Sequence, residues 1–339
     1  MSTYNKLAKY LTMMAVMLAA TTACEDVDDD GDIFSVQPDG QVIDPDAPGI
    51  DEVSPIPLTR YTARLEVPAL QQGIFIEHST FERDDSLVNY MFEYSPEHFL
   101  PRWVAFRFDQ RNRAVTANRK SYDIKPQFPA DPDLGSKGLP SDASFNGFQH
   151  GHLCASNDRR YSREANDQTF YMSNVMPQSG NFNGTQWVYF ESFVQTKGRS
   201  ESFADTLYVV KGGTLDDTRQ NISVAGHVVP VPRYYWMALL RVKSTSYSAL
   251  GFWVEHRDNY PEIPTTEINP MILSHCITID QLETLTGINF FPNLPDDIER
   301  TVEASFSAAA WGLGCTDFVI CIAETFRLAI FFALFDDIF

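Results

Sequence analysis

The chain has few cysteines, and none of them has the spacing of a structural zinc site. Five cysteines occur among 339 residues, and Cys315 and Cys321 lie six positions apart with no matching pair elsewhere. The sequence also lacks a helix-turn-helix signal and the aromatic motif of RNA-recognition domains, so it has no evident device for reading bases. These absences exclude the common modules that bind nucleic acid in a sequence-specific way.

Basic residues are also scarce, because 26 Lys or Arg face 45 Asp or Glu and the formal net charge is −19. Such a balance disfavours a polyanionic partner. Much of the excess of acidic residues lies in residues 25–52, which contain 11 acidic residues and no basic one. We therefore predict an acidic flexible tether over 25–54.

Residues 102–163 have the opposite charge balance, with 11 Lys or Arg against 6 Asp. A basic strip there is compatible with phosphate binding.

An uninterrupted membrane-spanning run is missing from the N-terminal part of the chain. The apolar residues 10–20 follow two lysines and lead through small residues to Cys24, which is the order of a secretory signal. Because the small residues end on a cysteine, residues 1–24 resemble a bacterial lipoprotein signal, in which Cys24 is lipidated. A plain signal peptide followed by a coincidental cysteine is the alternative.

The predicted location follows from this signal. Acidic residues directly behind a lipidated cysteine resemble the signal by which some Gram-negative bacteria move lipoproteins to the outer face of the outer membrane. We therefore predict an exported outer-membrane lipoprotein at the cell surface, with a lipid on Cys24 as its membrane contact; a merely solvated linker is the alternative. In an exported protein the four other cysteines could form two disulfides in three connectivities. No specific protein partner is predicted.

The C-terminal stretch 314–339 is apolar but carries Glu324 and Arg327. A charge at the centre of a membrane span costs about 2.5–3.5 kcal/mol, so a buried or interfacial helix is favoured over a span. The role of this tail is not assigned.

Residues 55–313 have the composition of one globular domain without internal repeats. Helical spacing of apolar residues predicts helices over 183–197 and 278–287. A long loop is predicted over 123–147, where proline, glycine and aspartate are frequent. We predict an α+β fold with a central, largely antiparallel sheet. The predicted strands are residues 62–70, 102–109, 169–178, 205–213, 227–242 and 247–256.

Two sequence stretches carry residues suited to phosphodiester hydrolysis. His150 and His152 flank Gly151, and neutral imidazole is the natural base near pH 7. On the predicted helix, Asn183 and Glu191 lie two i+4 steps apart, which keeps both on roughly one face. An amide oxygen at a helix start is a suitable ligand for Mg²⁺. The alternatives are a surface or metal-binding histidine, a helix-capping asparagine and a solvated glutamate.

The segments GHLCAS, SNVMPQSGNFNGTQWVYFE and TGINFFPNLP resemble the DNA/RNA non-specific endonuclease family of the ββα-metal fold. The resemblance implies that His152 is the general base and that Asn183 binds a single Mg²⁺, or Mn²⁺ in its place. It also implies that Glu191 supports the hydrated metal, that Asn174 occupies another active-site position, and that Arg119 is the upstream phosphate-contacting arginine. DNA and RNA are the implied substrates.

The resemblance covers roughly residues 60–313 and departs from the family at its central motif. Gln149 and His150 stand where the family has Asp-Arg before Gly-His. The change removes a fixed charge and a bidentate phosphate donor, which histidine replaces only partly and in a pH-dependent way. Gln149, His150, Arg159 and Arg160 are the predicted substrate contacts.

The leading hypothesis is therefore an exported Mg²⁺-dependent endonuclease that cleaves DNA and RNA without sequence specificity. A second hypothesis is a catalytically weak or inactive surface lipoprotein of the same fold that binds nucleic acid. A third is a metal-binding protein that uses His150 and His152 directly.

Overall fold

The computed structural model describes residues 64–82 and 85–314 and is organised around one seven-stranded sheet. The predicted signal (1–24) with Cys24, the predicted tether (25–54) and residues 315–339 lie outside the described residues. The strand order is β1-β2-β3-β6-β9-β10-β11, and every neighbouring pair is antiparallel. The strands are β1 Ile74–Glu82, β2 Asp85–Ser95, β3 Leu100–Phe108, β4 Gln149–His152, β5 Val175–Gln178, β6 Thr206–Gly213, β7 Thr218–Val224, β8 His227–Pro232, β9 Tyr234–Lys243, β10 Ser246–Glu255 and β11 Cys276–Ile277.

Both faces of the sheet are buried, because alternate residues of each strand point into different cores. In β3, Val104 and Phe106 belong to one hydrophobic cluster, whereas Trp103 and Ala105 belong to the other. This two-sided burial explains the nearly continuous apolar character of the central strands.

The helices are divided between the two faces. On the first face the antiparallel β4–β5 pair is followed by a π-helical segment, Phe182–Trp187, and by helix α2. On the second face α4 and α5 place Leu282 and Val302 in the other core cluster. The predicted α+β fold with a largely antiparallel sheet is confirmed. The helices are α1 Arg163–Gln168, α2 Val188–Arg199, α3 Thr265–Leu273, α4 Ile279–Thr286 and α5 Asp296–Glu303.

Local sequence signals located some elements well. The strands predicted at 102–109, 205–213 and 247–256 correspond to β3, β6 and β10. The predicted helix 278–287 corresponds to α4, which begins with a Thr278–Gln281 capping box and ends at Gly287, whose φ of +68° suits glycine.

Other element predictions were wrong. The described part of 62–70 is irregular rather than a strand, and its backbone forms a turn bond from Val67 N to Arg64 O. The strand predicted over 169–178 is limited to β5, and the one predicted over 227–242 is divided into β8 and β9. β1 and β2 were missed, because polar residues such as His78 and Asn89 at buried positions interrupt the expected alternation.

Two of the cysteines lie within the described residues, and the disulfide expectation does not hold for them. Cys154 and Cys276 are free and buried. Among helices of the described ranges, none has the length and apolarity required to cross a bilayer.

Candidate active site

The site is built on the β4–β5 pair, in which Gln149 lies opposite Gln178 and His152 lies opposite Val175. Gly151 is required between the histidines, because a Cβ there would fall 2.2 Å from side-chain atoms of Gln178. The glycine therefore allows the two strands to carry their side chains at close quarters.

Asn174 connects the chain that precedes β5 to the chain that follows β4 through buried hydrogen bonds. The residue is fully buried, and its Oδ1 accepts from Cys154 N at 2.9 Å. Its Nδ2 donates to Cys154 O and Thr169 O at 2.8 and 2.7 Å. Every polar atom of this side chain is thus bound to backbone, which corrects the expected catalytic contact to a supporting position next to His152.

The imidazole of His152, the predicted general base, lies in a largely buried environment. Its Nε2 is buried and has no hydrogen-bond partner among the described residues. Phe170 packs edge-on against the ring with centroids 5.0 Å apart. Burial, together with the smaller effects of Arg119 and His150, lowers the pKa of His152 to about 3. The imidazole is therefore neutral, the form that accepts a proton.

His150 is engaged by the protein, contrary to the expectation of a substrate contact. Its Nε2 donates to Ala143 O at 2.8 Å, and Phe128 stacks on the ring at 4.3 Å between centroids. Burial lowers the pKa of His150, so this residue does not supply a positive charge at neutral pH in place of the family arginine. The same contacts argue against a metal site made by His150 and His152 together.

The predicted helix 183–197 begins as a π-helix, and this irregularity aligns its two functional side chains. Phe182 and Trp187, five residues apart, are both buried and stack with centroids 5.6 Å apart, which suits the i+5 repeat of a π turn. A π turn advances roughly 80–90° per residue. An α-helix advances about 100° per residue. With four π steps from Asn183 to Trp187 and four α steps from there to Glu191, the angle between Asn183 and Glu191 falls from about 80° in a pure α-helix to about 0–40°.

Gln149, a predicted substrate contact, forms a hydrogen bond with Asn183. Asn183 Nδ2 donates to Gln149 Oε1 at 2.8 Å, so the side chain of Asn183 does not cap the helix. With Nδ2 held in this way, Asn183 Oδ1 is left without a partner among the described residues and is free to act as a ligand. Gln149, the departure from the family motif, therefore fixes the orientation of the candidate metal ligand.

A buried ion pair lies behind the site. Lys211, in the centre of β6, and Asp158 have no exposed side-chain surface, and Lys211 Nζ lies 3.0 Å from Asp158 Oδ2. Burial raises the pKa of Glu191 to about 7, Lys211 opposes the rise and Asp158 adds to it. The same two charges act on His152. The charges of Lys211 and Asp158 therefore act on both the predicted base, His152, and the predicted supporting acid, Glu191. The sequence analysis missed this ion pair. The lysine inside the apolar run TLYVVKGG was the available signal.

Arg119, the predicted phosphate-contacting arginine, lies beside His152, because both pack against Phe170. Its guanidinium stands over Phe170 at 4.8 Å and over Tyr122 at 4.1 Å, and its Nη1 donates to Lys120 O. Tyr122 is 70% exposed, so the arginine and this ring mark the outer edge of the site. The two aromatic rings hold the cation in place next to the imidazole.

Arg159 and Arg160 differ from their predicted role as phosphate contacts. Arg159 is fully buried, with its guanidinium over Phe106 and Phe108, so it does not reach substrate. Arg160 is partly exposed, and its Nε donates to Ala117 O at 2.8 Å. This hydrogen bond connects Arg160 to the segment that precedes Arg119.

The predicted basic strip of residues 102–163 is not one surface. Arg113 and Lys120 are buried and donate to backbone carbonyls. Arg107 is paired with Glu66 and Asp109. Arg107, Arg113 and Lys120 are therefore engaged within the protein, whereas Arg119 lies next to His152.

A group of His78, Asp131 and Asp133 could also hold a metal ion, since one ligand atom from each lies within 4.8 Å of the others. His78 Nε2 lies 2.8 Å from Asp131 and Nδ1 lies 3.4 Å from Asp133, so the ring bridges the two carboxylates. Asp131 also accepts from Ser173, the neighbour of Asn174. His78, Asp131 and Asp133 therefore connect the long loop 123–147 to Ser173, which lies just before β5.

Comparison with known sequences decides the family. Residues 71–297, more than half of the chain, match the sequence model of the DNA/RNA non-specific endonuclease family. The chain belongs to this family. Mitochondrial nuclease EXOG of Danio rerio is 28% identical over 214 residues, which cover 61% of this chain and 60% of that protein. A nuclease of Nostoc sp. is 28% identical over 221 residues, which cover 63% of this chain and 75% of that protein.

A chain in the crystal structure of the EndoG/EndoGI complex is 19% identical to this endonuclease-family chain, with a TM-score of 0.49. The match covers 65% of this chain and 88% of that chain. The chain spans about three fifths of the length of the EXOG relative named above.

Proposed function

We propose that this protein is a metal-dependent nuclease that hydrolyses phosphodiester bonds of DNA and RNA without sequence specificity. The observation that carries the proposal is the buried imidazole of His152, which shares the Phe170 ring with Arg119 and is influenced by the same Lys211–Asp158 pair that acts on Glu191. Family membership supports the same reaction class.

The proposed chemistry assigns each side chain a separate task. Nδ1 of His152 takes a proton from water while the water oxygen forms a bond to phosphorus. The bond from phosphorus to the 3′-oxygen breaks and that oxygen takes a proton from solvent water, which leaves a 5′-phosphate and a 3′-hydroxyl. Arg119 neutralises charge on the phosphate oxygens. Asn174, Phe170 and Gln149 position these groups without touching the reacting atoms.

The residues present fit a single hard divalent ion, which we propose to be Mg²⁺ with Mn²⁺ as a substitute. Asn183 Oδ1 is free because Gln149 holds its Nδ2, and Glu191 is aligned with it on the same helical face. A bound Mg²⁺, which retains most of its waters, would supply positive charge at the leaving oxygen. Glu191 would accept hydrogen bonds from those waters.

The alternative function is nucleic-acid binding with little or no turnover. It is favoured by one observation, the replacement of the family's charged Asp-Arg pair by Gln149 and a neutral, sequestered His150. Under that alternative, nucleic acid is retained but not cleaved.

We expect EDTA to abolish cleavage of plasmid DNA and of RNA by the purified protein, and Mg²⁺ or Mn²⁺ to restore it. Asn183→Ala should weaken Mn²⁺ binding, measured by calorimetry, and reduce cleavage by at least tenfold, because it removes the free ligand oxygen. Asn269→Ala, which changes an exposed asparagine on α3, is the matched control. Retention of full cleavage in EDTA contradicts the metal requirement, and binding without cleavage supports the alternative function.

We also propose that the protein is exported and attached to the outer membrane through lipid on Cys24, as the sequence predicts. Cys24→Ser should move the protein from the detergent phase to the aqueous phase and abolish incorporation of labelled fatty acid. Cys276→Ser should leave both unchanged. Detergent partition that does not depend on Cys24 contradicts this anchor.

A further inference from the structure

Three carboxylates converge where α4 and α5 meet, on the second face of the sheet. One oxygen from each of Asp280, Glu283 and Glu303 lies within 4.8 Å of the others. Asp280 and Glu283 are three residues apart on α4 and therefore share a helix face. Glu303 is the last residue of α5. This group lies apart from the nuclease site, because α4 and α5 pack into the second core whereas the helix of Asn183 packs into the first.

Glu303 is a buried acid without a partner. Only 5% of the residue is exposed, and its Oε1 makes no hydrogen bond within the described residues. A buried carboxylate is costly unless it is paired or coordinates a metal. Its place at the C-terminus of α5, where backbone carbonyls concentrate negative charge, adds to that cost.

The charges that act most strongly on Glu303 are all negative. Burial and the neighbouring Glu283, Glu299 and Asp280 raise the pKa of Glu303 to about 8. Burial likewise raises the pKa of Glu283, although Glu283 Oε1 accepts from Phe290 N at 2.7 Å. The three carboxylates therefore lie close together, and no basic side chain is among the charges that act most strongly on Glu303.

We propose that Asp280, Glu283 and Glu303 bind one divalent cation of the Ca²⁺ class. Oxygen ligands alone favour a hard ion, and Ca²⁺ tolerates irregular geometry at about 2.3–2.6 Å from each oxygen, so that opposite ligands are about 4.6–5.2 Å apart. Ligand oxygens within 4.8 Å of one another can share one such ion, and the placement of the three carboxylates on two separate helices suits the irregular geometry that Ca²⁺ accepts. The ion cross-links α4 to α5 and stabilises the last helices. Glu303 lies beyond residue 297, where the match to the endonuclease family ends.

The test uses the purified full-length protein stripped with EDTA and titrated with CaCl₂ or MgCl₂ alone. In an Asn183→Ala background, which weakens the proposed active-site ion, calorimetry should still give one Ca²⁺ per chain. The Tm should rise by about 5 °C at a Ca²⁺ concentration a hundredfold above Kd. Glu303→Gln should abolish both the heat and the Tm rise, because it keeps the shape and removes the ligand charge.

Asp297→Asn is the matched control, since it removes an exposed negative charge from the same helix. It should leave Ca²⁺ binding intact. Asp280→Asn changes an exposed member of the group and should weaken binding at least tenfold, so the result does not depend on whether Glu303→Gln folds. Ca²⁺ binding that survives Asp280→Asn, an equal loss in Asp297→Asn, or Mg²⁺ binding as tight as Ca²⁺ binding overturns the proposal.

Discussion

Replacing His152 with alanine is expected to lower kcat/KM for DNA and RNA cleavage by about 10²–10⁴-fold, the usual contribution of a positioned general base. The ring makes no hydrogen bond among the described residues, so its removal should cost little binding of nucleic acid. The loss should therefore appear in kcat rather than in KM.

The measurement is steady-state cleavage of a labelled oligonucleotide at saturating Mg²⁺, with binding followed separately in Ca²⁺. His227→Ala is the control, because His227 is an exposed histidine that stacks on Phe99 in another part of the chain. Since the pKa of His152 is about 3, the base remains neutral as the pH falls from 8 to 5. A His152→Ala enzyme within a few fold of the unaltered protein would mean that another group is the base.

Replacing Lys211 with methionine is expected to lower the free energy of unfolding by about 3–5 kcal/mol, because it leaves Asp158 charged, buried and unpaired. Asp158→Asn should have a cost of the same order. The double variant should recover most of the loss, since both charges are then absent and the site is filled by groups of similar size. Urea denaturation of the four proteins measures the coupling, and additive effects would show that the pair is not an energetic unit.

The same substitution carries a functional consequence. Lys211 opposes the rise in the pKa of Glu191, which is about 7 in the intact protein. Removing the cation raises the pKa of Glu191 further, so the carboxylate forms only at higher pH. The acid limb of the kcat/KM profile should move to higher pH in Lys211→Met. An unchanged acid limb of the kcat/KM profile would show that ionisation of Glu191 does not control the rate.

Local sequence signals were sufficient where one segment alone determines the conformation. The alternation of β3, the capping box and terminal glycine of α4, and the apolar spacing around Trp187 all act within a few residues. They predicted the antiparallel α+β fold and the helix that carries Asn183 and Glu191. The π-helical start of that helix was not predictable, because it depends on the stacking of Phe182 against Trp187 inside the assembled core.

Contacts between distant segments determined the roles of the polar residues. Gln149 and Asn183 are 34 positions apart, and Lys211 and Asp158 are 53 positions apart. The sequence analysis predicts Arg159 as a substrate contact and Asn174 as an active-site residue, whereas packing buries both. The charge and type of each residue can be read from the sequence. The burial of a side chain and its hydrogen-bond partners depend on which strands become neighbours.

By itself, therefore, the sequence determined the family, the sheet and the candidate base, because spacing and periodicity are properties of single segments. Only the tertiary structure decided that His150 is held by a carbonyl, that Gln149 orients Asn183, and that three acids meet between α4 and α5. The physical reason is that hydrogen bonding and desolvation act over a few ångströms in space, regardless of separation along the chain.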